Sequence, residues 1–147
     1  MEYGSVIDFL IEAKKATYAG NGPQSASSRP SSRDLEYAKG TLRYIDTYLG
    51  SEKFAGEEAL WEDGKPFWAM NYVGRVIAEG FSGDFLKDAL SRAAPDMPYR
   101  GPGHFADGPF RYRCEVDGTF DWFSGREFIF LGETKVYECL FHGGLIR

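Results

Sequence analysis

The chain has 147 residues with a formal net charge of −5, and its length suits one domain with a buried core. A hydrophobic share of 43% beside 27% charged residues is that of a globular chain rather than a disordered one. The acidic balance, with no Lys/Arg run, argues against binding nucleic-acid phosphates, and no stretch approaches the roughly 18 apolar residues of a membrane-crossing helix.

Residues 5–17 form the first expected helix, with Ser5 as cap, Asp8 three residues on, and Val6, Phe9, Leu10, Ala13 and Thr17 as one apolar stripe. The charged residues Glu12, Lys14 and Lys15 fall away from that stripe. Residues 18–33, rich in Gly, Pro and Ser, are expected to form a loop carrying Arg29 and Arg33. Four extended segments follow at 35–38, 41–49, 53–62 and 66–77, with Lys39-Gly40 and Asp63-Gly64 as turn signals. A second amphipathic helix is expected over 84–94, with Phe85, Leu86, Ala89, Leu90 and Ala93 as its stripe, and then a loop over 95–109. Four more extended segments follow at 110–116, 119–124, 126–131 and 135–146, with turn signals at Asp117-Gly118 and Gly132-Glu133.

The stretch 54–77, FAGEEALWEDGKPFWAMNYVGRVI, overlays FSGREFIFLGETKVYECLFHGGLI at 123–146 without a gap (123 − 54 = 69). Phe54 meets Phe123, Gly56 Gly125, Glu58 Glu127, Gly74 Gly143 and Ile77 Ile146, where ordinary residue usage gives roughly one or two matches. The two helical stretches also share Asp-Phe-Leu, at 8–10 and 84–86. The expectation is an α+β fold: one domain over 1–147, built by internal duplication of a helix followed by antiparallel strands. Its two pseudo-symmetric halves would be repeat 1 at about 5–78 and repeat 2 at about 82–147, with a ligand crevice along the pseudo-axis.

Strand parity aims Glu58 and Glu127 at the core, where an ionised carboxylate must be paired or hydrogen-bonded. Their presence in both halves suits a structural role, each bonded to backbone amides or an arginine. The functional reading is a pair of carboxylates facing a cavity. Asp46, between Tyr44 and Tyr48, is a third inward acid. With Trp68, Tyr72, Trp122 and Tyr137 it would give an aromatic and acidic lining suited to an organic cation. Asn71, Arg100 and His104 complete the ligand-contact candidates, and Arg100 could equally pair with one of the acids. The residues that break the symmetry, Asp46 against Cys114 and Asn71 against Leu140, are better functional candidates than the repeated glutamates. So are the unequal loops that carry Arg29, Arg100 and His104.

The two cysteines, Cys114 and Cys139, read as buried reduced thiols. No HExxH, zinc-spaced cysteine pair, GxSxG, Walker A or GxGxxG occurs, so no metal site, cofactor or catalytic residue is assigned. The absence of a basic segment leading into an apolar one at the N-terminus points to a cytoplasmic chain.

The segments FLIEAKKATYAG, SRPSSRDLEY, YIDTYLG, FAGEE, WAMNYVG, YRGP and YECLFHGG together resemble a bacterial family of uncharacterised domains. Members occur alone or C-terminal to XRE-type helix-turn-helix DNA-binding domains, and the resemblance implies an effector-binding role without naming a catalytic residue. The expectation is a non-enzymatic, sensor-like domain for a small, cationic ligand, with no direct nucleic-acid or membrane partner and with a homodimer in view. The alternative is a small hydrolase or isomerase using a raised-pKa glutamate in the same crevice.

Overall fold

Aromatic and β-branched residues at alternating positions give eight strands, and all eight join one antiparallel sheet. The computed structural model describes residues 3–147. Its elements are α1 (Gly4–Ala16), β1 (Arg33–Lys39), β2 (Leu42–Gly50), β3 (Lys53–Glu62), β4 (Lys65–Val76), α2 (Gly83–Leu90), β5 (His104–Asp107), β6 (Phe110–Thr119), β7 (Trp122–Leu131) and β8 (Thr134–Leu145). In space the strands run β1-β2-β3-β4-β8-β7-β6-β5.

This corrects the expected α+β arrangement of two helix-plus-strand halves. The fold is mainly β: a single continuous sheet with two short helices on one face, α1 over β1 and β2, α2 over β6. The reason lies in the backbone. Two separate four-stranded units would leave β4 and β8 as edges with unpaired N–H and C=O groups. Their pairing, from Trp68 opposite Leu145 to Val76 opposite Tyr137, removes both edges. There is thus no crevice between two packed units. The 24-residue correspondence falls on the β3–β4 and β7–β8 hairpins, where Glu58 pairs with Met70 and Glu127 with Cys139.

Several local expectations shift. Ser5 lies inside α1, whose cap position is Tyr3 with no side-chain capping bond. Ser82 caps α2 instead, its Oγ accepting from the Phe85 amide at 3.1 Å. Asp63 (φ 49°) and Gly64 (φ 79°) make the expected two-residue turn, which needs both in the left-handed region. Asp117-Gly118 does not turn the chain. β6 runs on through Thr119, the reversal comes at Phe120 and Asp121, and 119–131 holds one strand rather than two. The loop over 95–109 contains β5, four residues at the sheet edge, too short to display a period.

The core lies between the sheet and the helices. Leu10 and Ala13 of α1 and Ala89 of α2 pack toward Tyr44, Leu60, Trp68, Met70, Ile129 and Tyr137, all essentially inaccessible.

Candidate functional site

Antiparallel register fixes which side chains share the helix-bearing face. On β2 these are Tyr44, Asp46 and Tyr48, opposite Leu60, Glu58 and Gly56 on β3. Gly56 lies opposite Tyr72 on β4. Asp46 is 5% exposed, Glu58 3% and Glu127 0%, so three acids lie buried on one face and each needs a partner.

Two of them are held by cations. Glu58 Oε1 accepts from Lys14 Nζ at 2.7 Å and from Tyr44 OH at 2.6 Å, and Lys14 also donates to the Tyr99 carbonyl at 2.7 Å. Lys14 is therefore buried and paired, although it falls away from the apolar stripe. Glu127 Oε1 accepts from Arg100 Nη2 at 2.6 Å and Nε at 3.1 Å and from Tyr137 OH at 2.6 Å, and Oε2 accepts from Tyr112 OH. Burial works against the Glu127 charge, but Arg100 and the two tyrosines outweigh it and hold the carboxyl below the ordinary range. Glu127 is thus removed as a raised-pKa acid.

Asp46 differs. Its Oδ1 accepts from Tyr72 OH at 2.5 Å, and among the described residues Asp46 forms no ion pair. Burial, and then the neighbouring Glu58 charge, push its carboxyl from the ordinary 3.8 up to about 7, against the Tyr72 hydrogen bond and the charges of Arg100 and Lys14. Tyr72 in turn carries the Arg100 guanidinium over its ring, 5.1 Å from the centroid. Gly56 makes room for this ring: a Cβ there would lie 2.5 Å from the Tyr72 hydroxyl and 2.6 Å from Tyr48 Cβ. At the matching register in the other hairpin pair, Cys114 stands opposite Glu127 on β7.

Asp46 and Arg100 line a cavity of about 160 Å³ on the helix-bearing face. Its walls are the rings of Tyr18, Tyr48, Phe54, Tyr72, Phe81 and Tyr137, with Val76 and Leu86; the exposed Arg33 and Ser51 stand at its rim. A recess of about 20 Å³ behind it is lined by Lys14, Tyr44, Asp46, Glu58 and Arg100 among others. The arrangement can hold a small organic group among rings and present a carboxylate to it.

Of the residues singled out in the sequence, Asp46, Tyr48, Arg100, Tyr72 and Tyr137 meet at this cavity, and Tyr44 and Glu58 at the recess. The others lie elsewhere. Trp68 is core, stacked on Phe120 at 4.8 Å, with its Nε1 donating to the Phe120 carbonyl at 3.0 Å. Asn71 is on the opposite face, beside His142 on β8, and Trp122 is 81% exposed. His104 is exposed on the edge strand β5. Glu127 lies behind Arg100 and lines neither space. Cys114 and Cys139 are buried free thiols, and burial pushes both up to about 12.

Sequence reasoning missed Lys14, Tyr18, Phe54 and Phe81 as site components; Arg33, expected on a loop that could fold over a ligand or stay in solvent, opens β1 and lines the cavity. Phe81 sits in the break before α2, Tyr18 follows α1, and neither belongs to a periodic element. The one available signal for Lys14 was an inward Glu58 that required a cation.

Among the described residues, no group of His, Cys, Asp and Glu is placed to hold a metal ion, and no helix is long and apolar enough to cross a membrane. No curated protein and no solved structure matches the chain. A family match does exist, running from Asp46 to Ile146 and so containing Asp46, Glu58, Tyr72, Arg100 and Glu127. The chain belongs to the family described as Domain of unknown function (DUF5680), whose match covers residues 46–146.

Proposed function

We propose that the chain is a non-enzymatic small-molecule-binding domain that takes a small organic cation in the cavity beside Asp46. The observation that carries this reading is Asp46 itself: a buried carboxylate without a cationic partner among the described residues, at the wall of a cavity lined by six aromatic rings. Ring faces attract a cation through their quadrupole, and a carboxylate fixes its position. The volume, about 160 Å³, is near the size of cavities that admit a single six-membered ring. A ligand of that scale is expected rather than a cofactor.

The bacterial domains it resembles, some of them C-terminal to XRE-type helix-turn-helix segments, give such binding an output: ligand occupancy read by an attached or partner regulator in the cytoplasm. The acid–base alternative would now rest on Asp46, near 7, rather than on Glu127.

The test is a thermal-shift screen of small ammonium compounds against the native sequence and Asp46→Asn. A ligand at one hundred times its Kd adds about 2.7 kcal/mol to stability. The expected result is a rise in Tm with at least one cation that Asp46→Asn abolishes. A rise of equal size in the variant would defeat the reading.

A further inference from the structure

Arg33 and Asp46 give the cavity opposite charges at its two ends. Arg33 on β1 pairs with Tyr48 on β2, and Asp46 lies two residues along β2 on the same face, opposite Leu35. The two charged residues are therefore diagonal neighbours, about 7–8 Å apart between their backbone positions. They do not pair with each other. Asp46 turns toward Tyr72 on the far side, while the Arg33 guanidinium extends over the Tyr48 ring, 5.9 Å from its centroid. Among the described residues Arg33 forms no ion pair, whereas Lys14 and Arg100, the other cations near the cavity, are committed to Glu58 and Glu127.

The charges can be counted around the site. Lys14 is paired with Glu58 and Arg100 with Glu127, which leaves Asp46, deep in the cavity, as an acid without a cation partner and Arg33, at the rim, as a cation without an anion partner among the described residues. A plain cation would answer Asp46 and leave Arg33 with an unanswered like charge nearby. A molecule that is positive at one end and negative at the other answers both.

We infer that the ligand is a small amino acid whose ammonium group sits against Asp46, among the rings of Tyr48 and Tyr72, and whose carboxylate reaches Arg33 and Ser51 at the rim. This rests on the cation-binding reading above and narrows it. Because Arg33 lies over Tyr48 at the exposed rim while Asp46 turns to Tyr72 at the buried wall, an ammonium and a carboxylate several bonds apart suit the site better than the adjacent pair of an α-amino acid. Ser51 supplies a hydroxyl donor at the same end as Arg33.

Calorimetric titration with three probes of similar size tests it: 4-aminobutanoate, n-butylammonium and butanoate, each against the native sequence, Arg33→Gln and Asp46→Asn. Arg33 is exposed on an edge strand, so its substitution should leave folding intact, which circular dichroism checks. In the native sequence 4-aminobutanoate should bind about fivefold or more tighter than n-butylammonium, the scale of one partly solvated ion pair. Arg33→Gln should bring the two to within about twofold while leaving n-butylammonium unchanged, and Asp46→Asn should lose both. If n-butylammonium binds as tightly as 4-aminobutanoate, or the gap survives Arg33→Gln, the amino-acid inference is overturned while the cation reading stands. If neither amine binds, if Asp46→Asn binds n-butylammonium undiminished, or if butanoate binds most tightly, the cation reading falls with it.

Discussion

Asp46 is caught between opposing demands. Burial and the charge of Glu58 on the neighbouring strand favour its protonated form. The hydroxyl of Tyr72 on β4, the guanidinium of Arg100 and the ammonium of Lys14 favour the charged one, and the balance lands near 7. Tyr44 and Tyr48 on its own strand, Tyr18 beyond α1 and Arg33 on β1 also face this space. A folded-state value above the ordinary 3.8 means that the native chain binds more protons than the unfolded chain between about pH 4 and 7. Stability from this group is therefore greatest at the acid end and falls as pH rises through that window. Asp46→Asn removes the group. Urea denaturation of both proteins should show the native sequence losing ground to the variant between pH 4 and 7, by at most about 4 kcal/mol at 1.4 kcal/mol per unit. A constant difference across the window would contradict the assigned environment. Strand parity sufficed to bring Asp46, Glu58 and Glu127 inside, because period-two alternation survives in the sequence wherever one face is buried. Parity alone did not name their partners: an arginine was expected for the glutamates, with Arg100 as a candidate, and Arg100 stands on Glu127, whereas Lys14 on Glu58 was not foreseen. Lys14 and Arg100 come from a helix and a loop, where no period ties a residue to a given strand position.

At the scale of elements, α1 is fastened to the sheet by more than its apolar stripe. Lys14 Nζ reaches both Glu58 on β3 and the Tyr99 carbonyl in the loop before Arg100, so one side chain joins helix, sheet and loop. Breaking one side of a buried pair strands the other charge. Lys14→Met should thus destabilise by about 3–5 kcal/mol, and adding Glu58→Gln should recover part of that loss. A double-mutant cycle by chemical denaturation measures the coupling, and strictly additive losses would mean that the two groups act independently. The helices themselves were legible from their 3.6-residue periodicity, and the β3–β4 turn from Asp63-Gly64. Gly118 misled because its role differs from that of a turn glycine. At φ 98°, a Cβ there would lie 2.2 Å from the Trp122 carbonyl oxygen, so this glycine permits close approach of paired strands.

For the molecule as a whole, the decisive contact is the least local one. β4 and β8 meet over nine paired positions, between strands separated in sequence by α2 and three other strands. Such a pairing leaves no nearby pattern to read, which is why the hairpins were visible in the sequence and their union into one sheet was not. Other bonds cross the same line. Trp68 of β4 donates to the Phe120 carbonyl between β6 and β7. Arg100, fixed on Glu127 of β7, lies over the Tyr72 ring of β4, and Tyr72 holds Asp46 on β2. With hydrogen bonds and core packing continuous through the centre, neither set of four strands can part from the other without baring β4 or β8 as a new edge. Unfolding should therefore be a single transition, the calorimetric and van't Hoff enthalpies agreeing. Val73→Pro probes the joint directly. Val73 sits mid-strand on β4, paired with Ala55 on one side and Leu140 on the other, and its side chain is 54% exposed, so the substitution strikes the backbone more than the core. The expected outcome is one cooperative transition at lower temperature, with tryptophan fluorescence and far-ultraviolet circular dichroism falling together. Two resolved transitions, in either protein, would mean that the halves of the sheet keep separate stability despite their shared centre.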